Sequence, residues 1–206
     1  QTFYSLSYRD AIKMGIICDY KIVVVGVNDK DIHRMISDER INIKNAVNVY
    51  TLQYCLKKYG LNKVISFHSR IKNADVFTNT LLENNINSLH INGGLSGEEK
   101  EILLGEFRDS KSCVITNARC LTEGINIPSV DGIFYAENKS SIIDIVQSTG
   151  RALRKSKGKE LGYIIVPIYT ASSENIDKAI VDNEFSFLID IVSSMCMQDD
   201  TLQDLI

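Results

Sequence analysis

No stretch of this chain approaches the roughly 18–20 consecutive apolar residues that a helix needs to cross a bilayer, which argues against a membrane-spanning segment. It also has no Cys-x-x-Cys pair. Its five cysteines, Cys18, Cys55, Cys113, Cys120 and Cys196, are scattered and odd in number, which speaks against a zinc site or a disulfide framework and points to a reducing, cytoplasmic setting. His33, His68 and His90 are dispersed without ligand spacing, so no metal site is expected. A phosphate-cradling G-x-x-x-x-G-K-[ST] loop is missing: Gly158-Lys159 has neither the upstream glycine nor the following hydroxyl residue. The only Asp-Glu pair, Asp38-Glu39, falls in a polar connection rather than at a strand end, so it is not read as a magnesium-binding pair. No G-x-G-x-x-G follows the first apolar run, and Gly93-Gly94-x-x-Gly97 has the wrong order, which argues against a dinucleotide-binding enzyme domain. Internal repeats and low-complexity tracts are absent too.

What remains is 206 residues, 44% hydrophobic and 24% charged, enough for one α/β domain with a full core and an appendage. The chain opens on Gln1 with neither an initiator Met nor a charged-then-apolar leader, as expected of a piece of a longer polypeptide. A formal net charge of −3 hides an asymmetry: residues 174–206 hold eight acids and one base, whereas residues 1–173 hold 22 bases and 18 acids. Five of those bases lie within Arg151–Lys159. The body is therefore compatible with phosphate binding, although a lysine-rich turn is often only a solvated one.

Short β-rich apolar runs alternate with helical patterns. Strands are expected at Lys21–Val27, Lys63–Phe67, Ser88–Ile91, Ser112–Thr116, Gly132–Ala136 and Tyr163–Pro167, all without polar alternation, as in a parallel sheet covered on both faces. Helices are expected over 44–59 and 73–84, and a third begins at Ser96, where Ser96 and Glu99 form a capping-box pattern. The expected fold is a doubly wound parallel sheet with helices on both faces. Ser7 and Asp10 are candidate caps for a short helix ending at Gly15, and Asn28–Asn42 reads as a long polar connection. After Pro167 the composition turns acidic, and Ile176, Ile180, Phe187 and Ile191 suggest an amphipathic helix. The expected division is a main domain over 1–170 and an acidic helical tail over 171–206, leading into a further domain.

Three segments carry candidate chemistry. In the first, Ile142, Val146, Thr149 and Leu153 stack on one side of a helix, which puts Gln147, Arg151 and Arg154 within about 60° of one another on the other side. Two guanidinium groups three residues apart suit forked hydrogen bonding to phosphate oxygens, though the pattern also fits a solvated face. In the second, a buried strand ends at Thr116 and runs into a loop of hydroxyl, amide and glycine groups through Gly124, Asn126 and Pro128. Ligands of open parallel sheets bind beyond the carboxyl ends of strands, but a Gly/Asn/Pro turn needs no ligand. In the third, a strand ends at His68-Ser69-Arg70, where Ser69 can cap the next helix and that helix N-terminus can meet an anion.

ISFHSRI, HINGGLS, TNARCLTEGINIP and QSTGRALR, in that order over residues 65–154, together resemble motifs IV to VI of the superfamily 2 DEAD/DEAH helicases. The likeness covers roughly residues 60–168. More loosely, YSLSYRDAIKMGIICDY is similar to the crossover into the second domain of bacterial helicases related to restriction-enzyme subunits. The resemblance implies a RecA-like second helicase domain and an ATP-dependent DNA translocase or helicase. Arg151 and Arg154 would be arginine fingers, with Gln147 close to the nucleotide and Gly124 and Asn126 near its ribose. Family members commonly carry Asp where this chain has Asn126, which lacks that charge. Ser69, Gly93, Thr116 and Asn117 would face the nucleic-acid backbone. ATP with magnesium would be held mainly by an N-terminal RecA-like domain of the same polypeptide, so this chain alone is not expected to hydrolyse ATP. Nucleic acid is the expected partner, DNA ahead of RNA, with no membrane. A non-catalytic interaction domain of helicase ancestry is the alternative.

Overall fold

The computed structural model describes residues 8–33, 42–118, 130–137, 149–150, 153–155 and 159–170, together with Ser193. The elements in chain order are α1 (Tyr8–Lys13), β1 (Asp19–Asn28), α2 (Asp29–His33), α3 (Ile43–Tyr59), β2 (Lys63–Phe67), α4 (Ile71–Glu83), β3 (Ser88–Ile91), α5 (Gly97–Asp109), β4 (Cys113–Asn117), β5 (Gly132–Tyr135) and β6 (Leu161–Thr170). The strands form one six-stranded sheet in the order β1-β6-β5-β2-β4-β3. Every pairing between these strands is parallel.

Successive strand residues point to opposite faces, and here both faces are apolar. Ile65, Phe67, Ile115, Ile133, Tyr135, Ile164 and Val166 pack on one side with Leu104 and Phe107 of α5 and Ala11 of α1. Val64, Val114, Phe134 and Ile165 pack on the other with Leu52 and Cys55 of α3 and Phe77 and Leu81 of α4. This double covering is why the strands read as unbroken hydrophobic runs. Fully burying a side chain such as Phe77 or Leu52 is worth about 1.5–3 kcal/mol.

Helix ends follow local chemistry. Asn42 caps α3, its Oδ1 accepting from Lys44 N at 2.9 Å, and Gly60 ends it with φ of 63°, a left-handed position that glycine takes without a Cβ penalty. At α5 both arms of the expected capping box form between Ser96 and Glu99.

Several boundaries differ from expectation. The polar connection after β1 begins with α2, closed by a reciprocal pair in which Asp31 N donates to Asn28 Oδ1 and Asn28 N to Asp31 Oδ2. Asp10 lies in the first turn of α1, its carbonyl accepting from Met14 N. β4 runs one residue later than read, and β1 and β6 extend at both ends. The candidate cap Ser7, the tail over 171–206 apart from Ser193, and the candidate residues Gly124, Asn126, Gln147 and Arg151 lie outside the described residues.

Candidate nucleotide and nucleic-acid face

Sheet order brings the ends of β2, β4, β3 and β5 together although they are far apart in sequence. Asn117 Nδ2 donates to the Ser66 carbonyl at 3.0 Å, while the Asn117 carbonyl accepts from His68 N at 2.9 Å. Ser66 Oγ lies 2.8 Å from His68 Nε2. Thr116 Oγ1 meets both Thr78 Oγ1 and, at 3.0 Å, His90 Nδ1. Ser66, Thr116 and Asn117 are fully buried, so this hydrogen-bonded seam lies inside the sheet. Burial, above all, lowers the His68 pKa to about 4 against the pull of Glu137. It also lowers that of His90, with Asp75 and Thr116 pulling the other way.

The seam includes Thr116 and Asn117, the two residues expected to face a nucleic-acid backbone. Their side chains are turned into the domain because unpaired polar groups at the end of an interior strand would be costly, and neighbouring strands supply partners. Two buried atoms still lack a partner at this end of the sheet, Asn117 Oδ1 and His90 Nε2. Gly93 is exposed on the turn between β3 and α5, with nothing within 4 Å of where a Cβ would stand.

Ser69 is also placed differently from expectation. The N-cap of α4 is Arg70, and no side chain caps that helix. Instead both donors of Ser69 go to Glu137, with Ser69 N at 2.7 Å from Oε2 and Ser69 Oγ bonded to the same oxygen. Asn73 Nδ2 donates to Glu137 Oε1 at 2.6 Å. Burial works to raise the Glu137 pKa, but the bonds from Ser69 and Asn73, helped by the Lys44 charge, outweigh it and hold the carboxyl below its ordinary value.

Glu137 also lines two adjoining cavities at the N-terminus of α3. One, of about 240 Å³, is bordered by Lys44, Asn45, His68, Lys72 and Asn73. The other, of about 290 Å³, is bordered by Asn48, Tyr135, Val166, Pro167 and Tyr169. Neither Glu137 nor Lys44 stood out in the sequence. An acid directly after the buried run Gly132–Ala136 was the available signal, by the same strand-end rule that selected Thr116.

The arginine-bearing segment lies elsewhere. Thr149 is buried, its hydroxyl 3.1 Å from Tyr135 Oη, and Leu153 N donates to the Thr149 carbonyl at 2.9 Å, which closes a helical turn. Thr149 and Leu153 thus face the core, as the helical spacing requires. Arg154 has already left the helix. It is exposed and forms an isolated antiparallel bridge with Ile17, flanked by the bond from Cys18 N to the Leu153 carbonyl at 2.8 Å. Ideal helical angles therefore stop applying at Leu153. Pairing with the segment after α1 fixes the backbone of Arg154, an exposed residue, and a guanidinium fork suits phosphate oxygens. Among the described residues, no group of three or more His, Cys, Asp or Glu side chains is placed to hold a metal ion. No helix among them is long and apolar enough to cross a membrane.

The helicase conserved C-terminal domain family matches residues 47–156, just over half of the chain. The "Probable helicase A859L" of African swine fever virus is 25% identical over 194 residues, covering 93% of this chain and 22% of that protein. The chain thus spans about a fifth of the length of this relative. Among solved structures, the ATP-dependent type ISP restriction-modification enzyme LlaBIII bound to DNA superposes with a TM-score of 0.82 at 25% identity, over 97% of this chain and 15% of that one. A Dbp5 variant from S. cerevisiae bound to RNA and ADP BeF3 gives a TM-score of 0.57 at 18% identity, over 88% of this chain and 40% of that one.

Proposed function

This chain belongs to the helicase conserved C-terminal domain family, and from that premise we propose that it is the second motor domain of an ATP-dependent nucleic-acid helicase or translocase, with DNA as the favoured strand. The observation that carries the reading is Arg154, an exposed arginine whose backbone pairs with the N-terminal segment at Ile17. Arg151 and Gln147 belong to the same proposed half-site, and Gly124 and Asn126 to its ribose side. The magnesium and most nucleotide contacts fall to an N-terminal RecA-like domain of the same polypeptide, so this chain alone does not hydrolyse ATP.

ATP supplies a transferable phosphoryl group whose charge grows in the transition state. The chain contributes cations held at a fixed position, and an arginine finger is worth on the order of 10³–10⁵ in rate. Arg154 meets the need for rigidity through Ile17 and Cys18, because a guanidinium on a mobile loop would lose much of that advantage. On the other side, the turn carrying Ser69, with Arg70 and Lys72 exposed beside it, offers cations to a phosphate backbone, and Gly93 leaves room for a strand to approach. Thr116 and Asn117 support that surface from beneath.

The test is nucleic-acid-stimulated ATP hydrolysis by the polypeptide carrying both domains, wild type against Arg154→Ala, with DNA and with RNA. A loss of about a thousandfold with folding intact is expected. No stimulation by either polymer, or an unchanged rate in Arg154→Ala, would leave an interaction domain of helicase ancestry as the better reading.

A further inference from the structure

Glu137 is the second residue past β5 and lies outside every motif quoted above. Three hydrogen bonds converge on its carboxylate, two from the β2–α4 turn, Ser69 N at 2.7 Å and Ser69 Oγ, and one from the first turn of α4, Asn73 Nδ2 at 2.6 Å. Ser69 and Asn73 stand 68 and 64 residues away in sequence. Charge-assisted bonds of this kind are roughly twice as strong as neutral ones. Arg70, the N-cap of α4, makes no side-chain cap bond to that helix.

The bonds have a directional consequence. Both donors of Ser69 face inward, so the turn is fixed at its base while Arg70 and Lys72 remain exposed on it. Lys72 lines the 240 Å³ cavity that Glu137 also borders. Without the clamp, the turn and the first residues of α4 would sample several orientations, and a bound strand would have to select one at an entropic cost. We propose that Glu137 is a positioning residue that holds the Ser69 turn and the start of α4 in the orientation that receives a nucleic-acid strand. This rests on the motor function proposed above. Glu137 touches neither strand nor nucleotide; it acts through Ser69 and Asn73.

A carboxylate near a phosphate backbone could instead simply repel it, and the two roles differ in sign. Removing a repulsive charge tightens binding, whereas removing a clamp weakens it. Here the negative charge is engaged by three donors and faced by Lys44, which limits the repulsion and favours the clamp.

The experiment is ATP hydrolysis by the two-domain polypeptide as a function of oligo(dT) concentration, repeated with an RNA oligonucleotide, for wild type, Glu137→Ala and Glu137→Gln. In Glu137→Ala the half-stimulating concentration is expected to rise about tenfold, equivalent to about 1.4 kcal/mol, while the maximal rate changes less than about twofold. Glu137→Gln keeps one acceptor oxygen for Ser69 and should recover part of the loss, which a general packing defect would not allow. Should Glu137→Ala fail to fold, the near-isosteric Glu137→Gln carries the test with a shift of a few-fold. An unchanged or lower half-stimulating concentration, with wild type stimulated in the same assay, overturns the positioning role and leaves the motor function standing. No stimulation of wild type by either oligonucleotide overturns both.

Discussion

Lowering the pH from 7 to 5 should destabilise this domain by a specific route through His68. The imidazole is 2% exposed, shares a hydrogen bond with Ser66 Oγ and packs with its ring centroid 5.0 Å from that of Phe77. Burial lowers its pKa from 6.5 to about 4. The folded state therefore favours the neutral ring, while the unfolded chain takes up a proton near 6.5. The associated stability is present in full above that value and is lost as pH falls towards 4. At 1.36 kcal/mol per unit this amounts to about 3 kcal/mol over the whole window, of which about 2 kcal/mol falls between pH 7 and 5. The interval is useful because Glu137 and Glu99, whose pKa values are held below the ordinary 4.5, stay ionised throughout it. His90 is shifted in the same direction as His68, so a control is needed. Urea unfolding of wild type and His68→Gln at pH 7, 6 and 5 supplies it, since His90 is common to both proteins. The variant should show a pH dependence shallower by about 2 kcal/mol over that range. Parallel pH profiles, or an imidazole proton of His68 that titrates near 6.5 by NMR in the folded protein, would refute the reasoning.

Two further perturbations address packing and capping. A Cβ on Gly162 would stand 2.5 Å from Leu153 Cδ2, and Leu153 is fully buried; Gly162→Ala should therefore cost about 1–3 kcal/mol by urea unfolding, and much of that penalty should disappear in a Leu153→Ala background. Equal penalties in the two backgrounds would mean that this contact is not the cause. Ser96→Ala removes the side-chain acceptor of Glu99 N and should lower stability by about 1 kcal/mol, whereas no change in the unfolding midpoint would mean that the α5 cap contributes nothing measurable.

The strands were readable because a parallel sheet covered on both faces favours short, mostly apolar runs set between turn and helix signals: Lys63–Phe67 and Ser88–Ile91 match the structure at both ends. The Ser96–Glu99 capping box was readable because all its parts lie within four residues. Where reading failed, a distant partner had intervened. Ser69 has the chemistry of an N-cap, yet Glu137 draws its hydroxyl away from α4. Thr116 and Asn117 look like the start of a ligand loop, yet His90, Thr78 and Ser66, brought alongside by sheet order, bury them. Arg154 continues a helical pattern on paper, but pairing with Ile17 ends the helix before it.

The order and spacing of its local patterns thus determined that this chain makes a parallel α/β sheet and belongs with helicase second domains, because strand periodicity, turn chemistry and motif spacing are properties of neighbouring residues. Which of its polar groups reach the surface was decided only by the tertiary structure. That outcome depends on partners more than sixty residues away in sequence, such as Glu137 for Ser69, and no local pattern encodes them.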